Sequence, residues 1–209
     1  MPPLPKASQS RRCKDWNVLR NWFRRRAKGQ DVADALYLTA VAQARQPVFY
    51  SDHGVPDSVD GRFELIVMHV FLLLRPLNKM SESGAVKQMT KGAGEIAQAL
   101  FDTMFGDMDR SLREMGVSDI AVGKRVKHMA KAFYGRAAAY DEVLAGSDEL
   151  LDDALRRNLF GTVVPSAADV AAMADYLRFQ AGHVASIPDA QAISGDMQFA
   201  PWPGKGVDP

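Results

Sequence analysis

Hydrophobic residues recur along this chain at three- and four-residue spacing, the pattern of helices that each bury one face. Trp16, Leu19, Trp22 and Phe23 open the series after Asp15, and Val32, Leu36, Leu38 and Val41 continue it up to Pro47. The stretch "PVFYSDHGVPDSVDG", dense in Pro, Gly, Asp and Ser, reads as a loop. Next comes "FELIVMHVFLLL", Phe63 to Leu74, apolar on every azimuth and interrupted only by Glu64 and His69. That is the pattern of a central core helix, and it is shorter than the roughly 20 apolar residues a membrane span needs. Arg75 before Pro76 is its predicted end.

A polar loop, "NKMSESG", leads to a long helix from about Ala85 to Met115, closed by Gly116. Asp119 is the predicted cap of a fifth helix, which repeats Val126, Met129, Phe133, Ala137, Tyr140 and Leu144 along one face. Ser147 caps a sixth, with acids in its first turn and Arg156 and Arg157 in its last. Ser166 and Asp169 form a capping box before a seventh. Beyond Pro188 the helical period fades, so the tail is expected to lie extended, pinned by Phe199 and Trp202. No strand-period segment stands out. The expectation is an all-α single domain of about seven helices: a leader over 1–14, a helical body over 15–187 with a long central antiparallel hairpin, and a tail over 188–209.

Charge changes this picture at one end. Residues 1–28 hold nine Lys and Arg against Asp15 alone, a balance of +8, which leaves −7 on the rest of a chain whose net charge is +1. Any attraction to polyanions therefore concentrates in the arm, where aromatics interleave with cations. Trp22, Phe23, Arg24, Arg25, Arg26 and Lys28 are the candidate contacts with an anionic membrane or with ribosomal RNA. The predicted fifth helix carries Lys124, Arg125, Lys127, Lys131 and Arg136 outside its apolar stripe, which reads as a solvated face or a second anionic contact. Cys13 is the one cysteine and no secretory segment opens the sequence, so a reducing cytoplasm is the expected setting.

The richest candidate chemistry lies in "QALFDTMFGDMDRSLREMG", Gln98 to Gly116. On a wheel of about 100° per residue, Leu100, Phe101, Met104, Phe105, Met108, Leu112 and Met115 share an arc of about 140°. Asp102 and Asp109 align on another side but stand about 10.5 Å apart along the axis, too far to bridge one metal. Asp109 has Arg113 at i+4, Asp107 has Arg110 at i+3, and Arg110 reaches Glu114, so three of the four acids have a local cation and Asp102 alone lacks one. No Glu has His three residues later, the spacing a bundle di-iron site uses. His69 reads as a core histidine, His128 and His183 as surface, and His53 as loop. The acids thus read as a charge-paired face, with no catalytic, metal or cofactor residue assigned. The informative side is apolar: Phe101, Met104, Phe105, Met108, Met115 and Met129 form either core or an adaptable surface for hydrophobic client segments.

The segments "VAQARQPVFYSDHGVPDSVDGRFELIVMHVFLLLRPL", "QALFDTMFGDMDRSLREMGVSDIAVGKRVKHMAKAFYGRAAAYDE" and "DYLRFQ" together resemble the ubiquinol-cytochrome c chaperone family, in its alphaproteobacterial type, over about Gln43 to Ala185. The resemblance implies a non-enzymatic assembly factor for ubiquinol-cytochrome c reductase, without a cofactor. It implies nascent cytochrome b as partner, since mitochondrial relatives bind it as it leaves the ribosome and work with a small partner protein. Contacts near the ribosomal tunnel exit and at the inner face of the cytoplasmic membrane follow the same implication; the small partner stays open for this chain. The family offers no compact motif that fixes a binding site. The alternative reading is a translational regulator that touches ribosomal RNA through the basic arm; a helical metalloprotein using the Gln98 to Gly116 carboxylates ranks below both.

Overall fold

The structure, a computed structural model, describes residues 29–83, 87–144 and 148–202. Helices joined by loops make up the described residues, with no strand among them. Helix α1 covers 29–44, followed by the single turn α2, Val48–Ser51. Then come α3 (Val59–Glu82), α4 (Lys87–Glu114), α5 (Asp119–Leu144), α6 (Asp148–Asn158), α7 (Ala167–Ser186) and α8 (Asp189–Ser194). The basic arm, Cys13 and the Ser147 cap lie outside the described residues.

Helix α3 runs through the centre because it is apolar on all sides. It packs against α4, α5, α7 and α8, and Leu65, Val67, Met68, Val70 and Leu73 are fully buried. Ser58 starts it, its Oγ accepting from Gly61 N at 3.1 Å. Gly61 is required there by proximity: a Cβ would stand 2.0 Å from the Pro56 carbonyl oxygen. The predicted end at Pro76 is wrong, since α3 continues to Glu82. Proline removes one hydrogen bond, but Leu77 is wholly buried and Met80 packs on the core, so tertiary burial carries the helix through.

The predicted loop after Pro47 contains α2, whose turn drives Phe49 into the core against His69 and Tyr176. The tail is not extended from Pro188; α8 comes first, burying Ala192, and residues 196–202 then run without regular structure. Phe199 and Trp202 do pin that stretch to the core.

The α4–α5 hairpin turns at Gly116, whose φ of +80° suits a residue without Cβ. Gly116 N bonds Arg113 O and Val117 N bonds Leu112 O, which closes the end of α4. The next helix starts from Ser118, whose carbonyl accepts from Val122 N at 2.9 Å. Asp119, expected as the cap, instead sits in the first turn and pairs with Arg113. Along α5, Phe133, Tyr140 and Val143 are buried, with Val126, Met129, Ala137 and Leu144 packed beside them, as the apolar repeat requires.

Candidate functional site: an aromatic groove between three helices

The carboxylates of α4 point to separate partners. Gln98 Nε2 donates to Asp102 at 2.9 Å, the Tyr37 hydroxyl donates to Asp107 at 2.8 Å, and Arg113 Nε donates to Asp109 at 2.6 Å. Asp102 thus has a neutral partner at i−4 that a search for cations does not find. Arg113 also bonds Asp119, and its guanidinium holds the Asp109 carboxyl below the usual range. The bonds at Asp102 and Asp109 lie within α4, the Tyr37–Asp107 bond ties α4 to α1, and the Arg113–Asp119 bond ties it across the hairpin turn.

The apolar side of α4 splits. Met104 has no exposed surface and Phe105 is buried, so these two expected client contacts are core. Their positions turn inward because α4 lies closely along α3, where the small side chains Ala93 and Ala97 are also buried. Phe101 and Met129 are half-buried against the core, Met108 is half-buried, and Met115 is 57% exposed at the hairpin turn. The six residues therefore do not make one continuous surface.

Phe101 belongs to a different surface. It stacks 4.6 Å from Phe105, 5.5 Å from Phe133 and 5.2 Å from Tyr134, bridging α4 to α5. With Phe71 from α3, Phe101, Phe133 and Tyr134 face a groove of about 560 Å³ between α3, α4 and α5. Phe71 and Phe133 form its buried floor, Phe101 one wall, and Tyr134, 61% exposed, the lip. Arg75 Nε donates to Asp141 at 2.5 Å across one side, and Lys79 and Glu82 stand at the rim. Phe71, Phe133 and Tyr134 were not singled out from the sequence as contacts. An all-round apolar helix hides which azimuth meets a groove, whereas the "FYG" at 133–135 was a visible cue, one ring inside and the next at the lip.

His69 is the core histidine it was expected to be. Its Nδ1 lies 2.7 Å from the Leu65 carbonyl, an acceptor only, so Nδ1 carries the proton and Nε2 accepts from the Tyr176 hydroxyl at 2.6 Å. Gln43 Nε2 in turn donates to that hydroxyl at 3.1 Å. Full burial pushes the His69 imidazole down to about 4 and raises the Tyr176 phenol, so both are neutral near pH 7. This chain of bonds joins α1, α3 and α7 and is closed off by the tail, with the Phe199 ring 5.0 Å from His69 and Trp202 edge-on to Tyr176. It positions helices rather than presenting a reactive group. No described helix is long and apolar enough to cross a membrane.

Known proteins resemble this chain in fold or in sequence. A Cbp3 homologue from Brucella abortus has a crystal structure that matches with a TM-score of 0.73 at 31% identity, over 88% of this chain and 97% of that one. The ubiquinol-cytochrome c reductase complex assembly factor 1 of Drosophila melanogaster is 24% identical over 160 residues, covering 76% of this chain and 60% of that protein. The human protein of the same name is 22% identical over 167 residues, 79% of this chain and 53% of its own length. The chain thus spans little more than half the length of these two relatives. A family model described as ubiquinol-cytochrome C chaperone matches residues 51–199, a segment that holds α3 to α8 and the whole groove, and this chain belongs to that family.

Proposed function

We propose that this protein is a non-enzymatic chaperone that holds an apolar segment of newly made cytochrome b in the groove between α3, α4 and α5 while ubiquinol-cytochrome c reductase is assembled. The observation that carries the reading is the groove that half-buried Phe101 and exposed Tyr134 border over a buried floor of Phe71 and Phe133. Rigid rings offer large contact area at low entropic cost, which suits holding and releasing varied apolar side chains. The volume is also within the range of small-ligand pockets. What favours a peptide is the lining by helix flanks, where Asn78, Ser81 and Gln98 and the charged Arg75, Lys79, Glu82 and Asp141 accompany the rings and can meet a peptide backbone. The inner face of the cytoplasmic membrane is the site of action this reading requires.

The test fills the groove without touching the core. Ala138 lines it from the exposed side of α5, so Ala138→Trp blocks the space while the fold is kept. The expected result is a normally accumulating variant that no longer supports cytochrome b accumulation in a deletion strain; full complementation by it would remove the groove from the account.

A second reading rests on the +8 balance of residues 1–28: ribosome contact through Trp22, Phe23, Arg24, Arg25, Arg26 and Lys28. Salt-dependent ribosome cosedimentation that is unchanged when the three arginines become Ala would exclude the arm from it.

A further inference from the structure

The hairpin that carries the groove also presents an outward face of α5, which borders the groove at Tyr134 and Ala138. From Ile120 to Tyr140 the sequence has five Lys and Arg and no acid. At about 100° per residue, Ile120, Lys124, Lys127 and Lys131 fall within about 60° of one another, on the side of α5 opposite buried Val122 and Phe133. All four are exposed, and none of the three lysines forms an ion pair with a described acid. Of the other two cations, Arg125 is exposed off this strip and Arg136 is turned inward to Glu64. The nearest acids at the turn, Asp109 and Asp119, are both held by Arg113, and Glu114 is the remaining exposed one.

Exposed aliphatic side chains accompany this strip. Ile120 is 79% and Met115 57% exposed, and both sit at the hairpin turn from which the lysines lead. Cations beside exposed aliphatics match an anionic bilayer: lysine stems lie along the interface with their ammonium groups at the phosphates, and the aliphatics enter the acyl boundary. RNA complements the charge but gains little from Ile and Met, and the exposed ring that borders the strip, Tyr134, already packs against Phe101 at the groove lip. We propose that the outer strip of α5, Ile120, Lys124, Lys127 and Lys131, with Met115 at the hairpin turn, is a docking surface for an anionic lipid bilayer. It lies outside the basic arm in sequence and stands on the side of α5 away from buried Val122 and Phe133.

The experiment is cosedimentation of the full chain with phosphatidylcholine vesicles, with and without phosphatidylglycerol, alongside binding of a short duplex RNA. It compares wild type, K124A/K127A/K131A, M115S/I120S and the arm variant R24A/R25A/R26A, each checked for an unchanged thermal melt. Wild type should bind only the anionic vesicles. The triple lysine variant should lose about tenfold or more of that affinity, at several-fold per cation, and the aliphatic variant several-fold on vesicles and nothing on RNA. The arm variant should retain an α5-dependent part of the binding. The proposal is overturned if wild type ignores anionic vesicles, if the lysine variant binds them like wild type, or if the α5 lysines matter for RNA alone.

Discussion

Arg136 on α5 donates from Nη2 to Oε1 of Glu64 on α3 at 2.5 Å, joining the floor helix of the groove to the helix that bears its lip. Glu64 is nearly inaccessible, and burial raises its carboxyl above the usual range despite the opposing pull of Arg136. The second Glu64 oxygen and Arg136 Nε find no protein partner, so the pair is single-toothed. Taking both charges out of water offsets most of their attraction, but stranding either one is costly.

Removing one partner should therefore destabilise far more than removing both. Arg136→Ala is expected to cost about 3 kcal/mol, whereas E64L/R136M should lie within about 1 kcal/mol of wild type. Urea unfolding of the two single variants and the double gives the cycle. Singles that unfold like wild type would mean the pair is solvated.

His69 sets an acid sensitivity. Its folded value of about 4 lies below the ordinary histidine value, so between about pH 6.5 and 4 the unfolded chain takes up a proton that the folded chain refuses. Stability from this residue is complete above that window and falls by up to about 1.4 kcal/mol per pH unit through it. Glu64, with its raised carboxyl, acts in the opposite direction. The comparison is thus between wild type and His69→Phe: the difference in unfolding free energy should shift in favour of the variant as pH falls from 6.5 to 4. A constant difference would show that His69 protonates freely in the fold.

The tail is held by a two-point clamp. Buried Gln180 donates from Nε2 to Ala200 O at 2.7 Å and accepts from Ala200 N at 3.0 Å. Gln180→Ala removes both bonds and should cost about 1–3 kcal/mol, with hydrogen exchange rising first at 196–202. Exchange rising uniformly over the molecule would contradict a local clamp.

Gly61→Ala tests the entry to α3. The added methyl meets the Pro56 carbonyl, backbone that has no rotamer to yield, so a loss of about 2 kcal/mol or more is expected. A melting temperature like that of wild type would mean the 56–61 turn shifts freely.

Periodicity revealed the α4–α5 hairpin and its turn because Gly116, the acidic and basic i+4 pairs and the α5 stripe all act within a few residues. It failed where distant contacts decide. Pro76 looked terminal because the burial of Leu77 cannot be seen locally, and Met104 looked like a surface candidate because its wheel position says only that it faces something apolar. Arg136 shared the basic face of α5 in sequence, but its partner lies 72 residues away. Phe71 and Phe133 are groove residues only once three helices are assembled.

The most direct measurement places a photoactivatable amino acid in cells at Phe101, on the groove wall, and at Tyr134, on its lip, with Val164, which is fully exposed elsewhere, as the control position. The account predicts a crosslink to newly made cytochrome b from 101 and 134 and none from 164. Cytochrome b captured equally from all three positions, or from none while reductase assembly still depends on the protein, would contradict it.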